Sequence, residues 1–377
     1  MRWKWVAVCV MTCTVTLPAI PSQAADEIKT LQSVGGEAEG AAAARAARDA
    51  LVNGGAANLL PILQGFNGSS KLASNWLRSS FEAIADNQLQ SKKGLPKEEL
   101  LAFVRDTTQS PSARRLAYEW LLKETPALED ELIPGMLLDP SADFRRDAVS
   151  KLIDQAKDAS GKASVAIYEK ALQGAVHEDH VRTISEALRE AGVKVDIQKH
   201  FGFLTSWKII GPFDNREMAG FAVAYPPETE INPGAEYKGQ LGQVSWTAIS
   251  TEDDYGLVNI AKQIENYKGS AMYATTTFRS EGPQQVQFRL GTPNAWKLWV
   301  NGKLIFQREE YHRGSGMDQY TIPVVLKDGA NSILLKVCQN EQEQPWAQDY
   351  EFQLRVCNAT GAAILPKGNR ADVSQSK

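Results

Sequence analysis

The sequence predicts a multidomain α plus β chain, with an N-terminal α-helical solenoid or bundle followed by a C-terminal antiparallel β-sandwich. Three observations predict it. From about residue 37 to 192 apolar residues recur at spacings of three and four, the helical period. From about 200 the period becomes two, the strand period. In that second half, Asn301-Gly302 and Lys327-Asp328-Gly329 supply tight-turn chemistry between apolar runs. At 377 residues the chain is long enough for two domains, and 43% hydrophobic with 23% charged residues is enough to build real cores. Disorder, collagen and a coiled-coil rod are excluded.

The first element is a leader. Arg2 and Lys4 precede an apolar run from Trp5 to Leu17, followed by Pro18, Pro21 and Ser22-Gln23-Ala24. The run is too short for a membrane span of roughly 20 residues, and small Ser22 and Ala24 suit signal peptidase at −3 and −1. Residues 1–24 therefore read as a secretory signal peptide cleaved near Ala24. Cys9 and Cys13 lie inside the apolar run and leave with it. The chain is expected to be exported, to the periplasm or beyond the cell, and not to span a membrane.

Residues 25–199 read as helical. An Ala-rich stretch from Glu37 to Val52 stops at Asn53-Gly54-Gly55, and Leu72, Trp76, Phe81 and Ile84 form an apolar stripe on the next helix. Turns recur at Gly94-Leu95-Pro96, Ser110-Pro111, Pro134-Gly135, Asp139-Pro140 and Gly161. Within this region Pro111-Ser112-Ala113-Arg114-Arg115-Leu116-Ala117 is echoed by Pro140-Ser141-Ala142-Asp143-Phe144-Arg145-Arg146-Asp147-Ala148, so that Arg114 corresponds to Arg145. A weaker third copy runs from His180 to Leu188. A repeat of this length with two helices per unit marks a stacked helical solenoid. Leu138-Asp139-Pro140 with Phe144 to Ala148 resembles the HEAT repeat over about residues 97–192. That resemblance implies a concave surface for protein contacts; a packed spacer is the alternative.

Residues 200–357 read as strands. Phe203, Thr205, Trp207 and Ile209 alternate with Leu204, Ser206 and Lys208; Val286, Phe288 and Leu290 form a second series, and Tyr320, Ile322, Val324 and Leu326 a third. Several short strands with regular turns argue for a sandwich or jelly roll. Residues 358–377 are polar and patternless, and are expected to be a disordered tail. The segment Trp296 to Lys303, with Val325 to Asn331 and Leu334 to Val337, is similar to galactose-binding-like jelly rolls such as the sugar-binding domain of family 2 glycoside hydrolases. Trp207 to Asn215, Gly220-Phe221 and Tyr225 to Glu228 resemble the opening of that module in exported bacterial multidomain proteins. Calcium-binding relatives carry an acidic pair before the Trp strand, where this chain has Gly291-Thr292-Pro293-Asn294-Ala295. No calcium site is expected there, because a hard cation needs several oxygen ligands, usually carboxylates.

Charge and motifs narrow the chemistry. There are 41 Lys plus Arg against 45 Asp plus Glu, a net charge of −4, with no basic stripe, so nucleic acid is not an expected partner. His177-Glu178-Asp179-His180 puts two imidazoles on one helical face, but no third ligand stands nearby, and only His200 and His312 remain elsewhere. Glu252-Asp253-Asp254 offers paired carboxylates of the kind glycoside hydrolysis uses; a solvated loop is the simpler reading. Asp214 reads as a turn cap. No nucleophile elbow, phosphate loop, dinucleotide fingerprint, Cys-x-x-Cys or His-Glu-x-x-His occurs. Neither metal nor cofactor is expected.

Sugars are held by ring stacking and polar hydrogen bonds, and Trp299, Tyr311, His312, Arg313 and Trp346 supply those groups near strand ends. They are the candidate ligand-binding residues, with core packing as the competing role for Trp299, on the face it shares with Lys297 and Asn301. Cys338 and Cys357 end up roughly 23 Å apart along antiparallel strands, seven steps of about 3.3 Å, so they are expected to be unbonded to each other. Alternation puts each thiol on a polar face, accessible and free to pair between chains. The function expected is an exported non-catalytic binding or scaffold protein, its partner a glycan or an envelope protein. The alternative is a glycoside hydrolase or an accessory subunit of a polysaccharide-degrading enzyme.

Overall fold

The structure is a computed structural model that describes residues 22–367. The leader expected over 1–24 falls almost wholly outside these residues, as does the last part of the expected tail. The described chain forms two compact units, one ending at Leu132 and the other beginning at Ile133. The change of period near 200 thus marks the passage from helix to strand inside the second unit.

The first unit holds α1 (Ser22–Gln32), α2 (Ala41–Asn53), α3 (Leu59–Gln64), α4 (Lys71–Gln90), α5 (Lys97–Arg105), α6 (Pro111–Glu124) and α7 (Leu128–Leu132). Helix α2 stops at Gly54, as its sequence dictates. Ser70 caps α4 by accepting from the Ala73 N–H. The buried stripe of α4 is Ala73, Leu77, Phe81 and Ile84, whereas Leu72, expected inside, points to solvent. Packing chose the small Ala73 where the helix meets its neighbours. Arg114, at the start of α6, is buried and donates its Nε to the Val104 carbonyl, 2.8 Å away at the end of α5. A last-turn carbonyl has no partner within its own helix, and the guanidinium supplies one.

The second unit begins with α8 (Ala142–Asp158), α9 (Gly161–Gly174), α10 (Glu178–Glu190) and α11 (Ile197–Phe201), which share an apolar core around Val149, Tyr168, Ile184 and Phe201. Arg145 repeats the role of Arg114. It donates to the Asp139 carbonyl at 2.8 Å, while the Asp139 carboxylate caps the turn through the Ser141 N–H. The echo in the sequence therefore has a shared physical basis in two arginines that close the turn before their own helix.

The strands follow: β1 (Ser206–Asp214), β2 (Glu236–Lys238), β3 (Gln243–Ser245), β4 (Thr247–Ser250), β5 (Val258–Asn259), β6 (Ser270–Ser280), β7 (Gln284–Gly291), β8 (Ala295–Val300), β9 (Lys303–Arg308), β10 (Tyr320–Leu326), β11 (Gly329–Gln339) and β12 (Glu351–Cys357). Two short helices interrupt them, α12 (Pro226–Thr229) and α13 (Ile260–Gln263). A six-stranded sheet, β4-β1-β6-β11-β8-β9, and a four-stranded sheet, β10-β7-β12-β5, enclose one core. All pairings are antiparallel. The β8–β9 hairpin turns on Asn301 and Gly302 at φ 52° and 77°, the left-handed pair that the Asn-Gly dipeptide provides.

The six-stranded sheet buries part of its other face too, while Ser206, Lys208 and Thr277 on that face stay exposed. Under the excursion from Arg216 to Trp246 lies a second cluster that includes Ile210, Phe213, Phe221, Tyr273, Trp299 and Leu334. This cluster explains the burial of Cys338 and Trp299, both departures from the sequence reading. The Cys338 thiol lies on this face and is fully buried, and Cys357 is buried as well, so neither is accessible; alternation marks which face a residue takes but not whether that face is covered. The two cysteines are free, on opposite sheets of the sandwich, as the strand reading requires. Trp299, only 7% exposed, is a packing residue. The start of the expected tail is also ordered into the fold. Ala363 bridges Cys357, Ile364 packs on the sandwich core, and the Lys367 N–H donates to the Arg279 carbonyl. A single apolar residue and backbone pairing suffice where the polar sequence showed no period.

Candidate functional site

One end of the sandwich gathers the loops after β1, β9 and β11, and three of the five candidate residues meet there: Tyr311, His312 and Trp346. The floor is a network of buried amides. Asn215, fully buried, donates Nδ2 to the Tyr311 hydroxyl at 3.2 Å and to the Gln339 carbonyl at 3.0 Å. Asn294 donates to Gln339 Oε1 and to the Asp349 carbonyl, and Gln339 donates to the carbonyls of Ala347 and Asp349. Buried amides must be paired, so these side chains hold several loops in one arrangement. Burial pushes the Tyr311 hydroxyl well above the usual phenol range, so it stays protonated.

Above this floor His312 occupies the left-handed region at φ 53° and places Nε2 2.5 Å from Asn340 Oδ1. The Trp346 ring meets the His312 ring edge-on, centroids 5.4 Å apart. Trp346 sits on a single turn, Pro345–Ala347, and is 60% exposed. Its turn is fastened from below: Lys268 Nζ donates to the Ala347 carbonyl at 2.7 Å, Gln339 donates to the same oxygen, and Gln348 donates to the carbonyls of Glu343 and Gln344. Burial lowers the Lys268 pKa while the nearby carboxylates of Glu343 and Asp349 oppose that shift. An indole on a pinned turn is a rigid stacking surface with little entropy left to lose on binding.

Beside His312 lies a cleft of about 760 Å³, walled by Glu217 and Met218 on one side and by Asn340 to Gln344 on the other. Glu217 and Met218 are both left-handed, at φ 56° and 60°, and the Glu217 N–H donates to the Glu341 carboxylate. Non-glycine residues in this region cost energy, and the hydrogen bond of the Met218 N–H to the Asn215 carbonyl, 3.0 Å, joins that of the Glu217 N–H in holding them there. Asp214 accepts from the Arg216 N–H and guanidinium, bonds that pull its pKa down to about 2. Asp214 is thus a turn cap, as expected.

The other candidates fall elsewhere. Arg313 is exposed and pairs with Glu310 at 2.5 Å, within the same loop but away from the cleft lining. Trp299 belongs to the covered face of the six-stranded sheet. Glu252 to Asp254 form a solvated loop: Asp253 caps it by accepting from the N–H groups of Tyr255 and Leu257, and Asp254 faces Arg189. In the His177–His180 segment, Asp179 is bidentate to Arg146, whose hydrogen bonds hold the carboxyl well below the usual range, and His180 faces the Ser150 hydroxyl at 3.1 Å. Burial lowers the pKa of both histidines. Sequence reasoning missed the cleft residues Glu217, Met218 and Asn340. The polar run after β11 marked a loop there, but no sequence period reveals which loops meet.

No family model matches the chain, and no curated protein matches it. Among solved structures it is similar to an anti-sigma factor domain-containing protein from Clostridium clariflavum, at 13% identity and a TM-score of 0.23 over 45% of this chain and 49% of that one. It is also similar to the β-glucuronidase of Ruminococcus gnavus, at 12% identity and a TM-score of 0.24 over 41% of this chain and 28% of the enzyme. A β-glucosidase from Kluyveromyces marxianus aligns with 74% of this chain and 36% of its own, at 8% identity and a TM-score of 0.26. The chain thus spans about half of the first and about a third of the two enzymes.

Proposed function

We propose that this is an exported, non-catalytic carbohydrate-binding protein, with the loop end of the β-sandwich as the ligand platform and the helical repeats as a surface for an envelope protein partner. The observation that carries it is Trp346: an indole 60% exposed on a turn held by Lys268, Gln339 and Gln348, next to a cleft edged by Asn340, Gln342 and Gln344. An apolar ring face beside amides and carboxylates is the chemistry that binds a sugar ring, whose C–H face stacks while its hydroxyls take hydrogen bonds. Exposed Trp otherwise costs solubility, and here the fold commits several hydrogen bonds to holding it in place.

The test is a glycan array on the whole exported chain, followed by titration of each binder with the Trp346→Ala variant. Binding weakened by about tenfold or more, on the scale of one lost aromatic hot spot, supports the platform. Full binding by Trp346→Ala, or no glycan bound by the wild type, overturns it. One observation favours a second reading, a hydrolase or its accessory subunit: Glu217, Glu341 and Glu343 all line the cleft. Hydrolysis of a polysaccharide panel that is lost in Glu341→Gln would establish that reading.

A further inference from the structure

Where the excursion from Arg216 to Trp246 leaves that same face of the six-stranded sheet uncovered, the face carries a second groove, remote in chain terms from the loop platform. Two hollows of about 720 and 350 Å³ lie along it and share Ile231 and Ser332 in their linings, so they form one continuous furrow. Strand register builds its floor. Ala248, Lys208, Thr275, Leu334 and Trp299 form one row across β4, β1, β6, β11 and β8, with Ala248 and Lys208 exposed at the open end and Leu334 and Trp299 buried at the covered end. At the next same-face position along the strands Ser250 pairs with Ser206, and Thr277 with Ser332. Four strand spacings of about 4.8 Å make the furrow roughly 19 Å long. The segment Pro227 to Pro233 forms one wall.

Two properties distinguish this furrow from a bare sheet face. The hydroxyls of Ser206, Ser250, Thr277 and Ser332 make no hydrogen bond among the described residues, so donors and acceptors stand in a row with capacity unused. Lys208 is the one charged side chain lining the larger hollow, and it is exposed, with no ion pair or hydrogen bond among the described residues. At the other end Glu228 is already matched, by Lys336 at 2.9 Å and by the Tyr273 hydroxyl. The furrow therefore presents one net positive charge over a hydroxyl floor.

We propose that the furrow binds an acidic polysaccharide segment, with Lys208 taking a uronate carboxylate and the Ser/Thr rows taking the ring hydroxyls. Charge complementarity selects the acidic ligand, because an unpaired ammonium beside polar hydroxyls gains a charge-assisted hydrogen bond from a carboxylate and nothing comparable from a neutral sugar. A polypeptide strand would instead add along a sheet edge, where its backbone is paired. This site goes beyond the loop platform and does not depend on it.

The probes are tetragalacturonic acid and its fully methyl-esterified form, titrated calorimetrically into the whole chain. Wild type should bind the acid, and the ester should bind about tenfold or more weakly, the worth of one hydrogen bond to a charged group. Lys208→Gln should bring the acid down to the level of the ester, and Thr277→Val should weaken both. Both positions are on the open face, and unchanged melting temperatures confirm the fold. Trp346→Ala should leave acid binding intact. Equal affinity for acid and ester, an unchanged Lys208→Gln, or loss of acid binding in Trp346→Ala each overturns the groove, the last by moving the ligand to the loop platform. Failure of Trp346→Ala to affect neutral glycans bears on the platform alone.

Discussion

Lys336 and Glu228 form an ion pair on the covered face of the six-stranded sheet, Nζ 2.9 Å from Oε1, with the lysine fully buried and the glutamate 12% exposed. The same ammonium donates to the carbonyls of Gly220, Phe221 and Val223. One buried cation thus closes the excursion that follows β1 by donating to carbonyls of its loop, of which Gly220 also accepts the Val223 N–H.

Removing Lys336 alone should therefore be severe. Lys336→Met leaves the Glu228 carboxylate buried without its cation and the Phe221 and Val223 carbonyls without this donor, and should cost about 3–5 kcal/mol in urea unfolding. Adding Glu228→Gln should restore part of that loss. Equal stability of the single variant and wild type would show the pair to be dispensable.

Asp318 is held by two arginines, Arg355 with its Nε and Nη2 each at 2.6 Å and Arg289 at 2.7 Å. Burial raises its pKa, but the hydrogen bonds and charges of Arg355 and Arg289 outweigh it, and the folded value lies below the usual carboxylate value. A depressed folded pKa means that the stabilisation is present above the unfolded pKa and is lost as the pH falls through the folded one. Asp318→Asn should melt well below wild type at pH 7, with the gap narrowing below about pH 4, where the unfolded carboxyl takes up its proton. A gap that does not vary with pH would exclude this linkage.

Calcium should not matter to the loop between β7 and β8. Thr292 donates to the Glu351 carbonyl and Asn294 to Gln339 and Asp349, so its polar groups are neutral and already bonded within the fold. Melting in calcium and in chelator should coincide. A shift of several degrees would reveal oxygen ligands elsewhere.

The thiols of Cys338 and Cys357 should resist alkylation in the native protein. Burial pushes the Cys338 thiol up to about 12 and raises that of Cys357, and only a thiolate reacts. Peptide mapping after labelling should find both unmodified in the native state and both modified in denaturant without reductant. Labelling of Cys338 in the native state would mean that the excursion covering its sheet face opens readily.

Much of this protein was written in local pattern. The three-and-four spacing in the first half and the strict alternation in the second determined the class of each, because a helix and a strand bring the same face round at different periods. Asn301-Gly302 determined the β8–β9 hairpin, because few other pairs reach those positive φ values cheaply. The Arg114 and Arg145 echo announced two turns closed in the same way.

Only tertiary structure decided which faces are covered and which loops meet. Alternation put Trp299, Lys336 and Cys338 on a polar-looking face, and the fold buries it under the excursion from Arg216 to Trp246, far earlier in the chain. The sequence of β8 and β11 has no record of that cover. Tyr311, His312 and Trp346 were legible as sugar-binding residue types, but their union with Glu217 and Asn340 depends on strand order, β1 and β11 both flanking β6. Local pattern is set by neighbours along the chain and so can be read from it. A site assembled by register between distant strands is set by packing in space, which no short stretch of sequence contains.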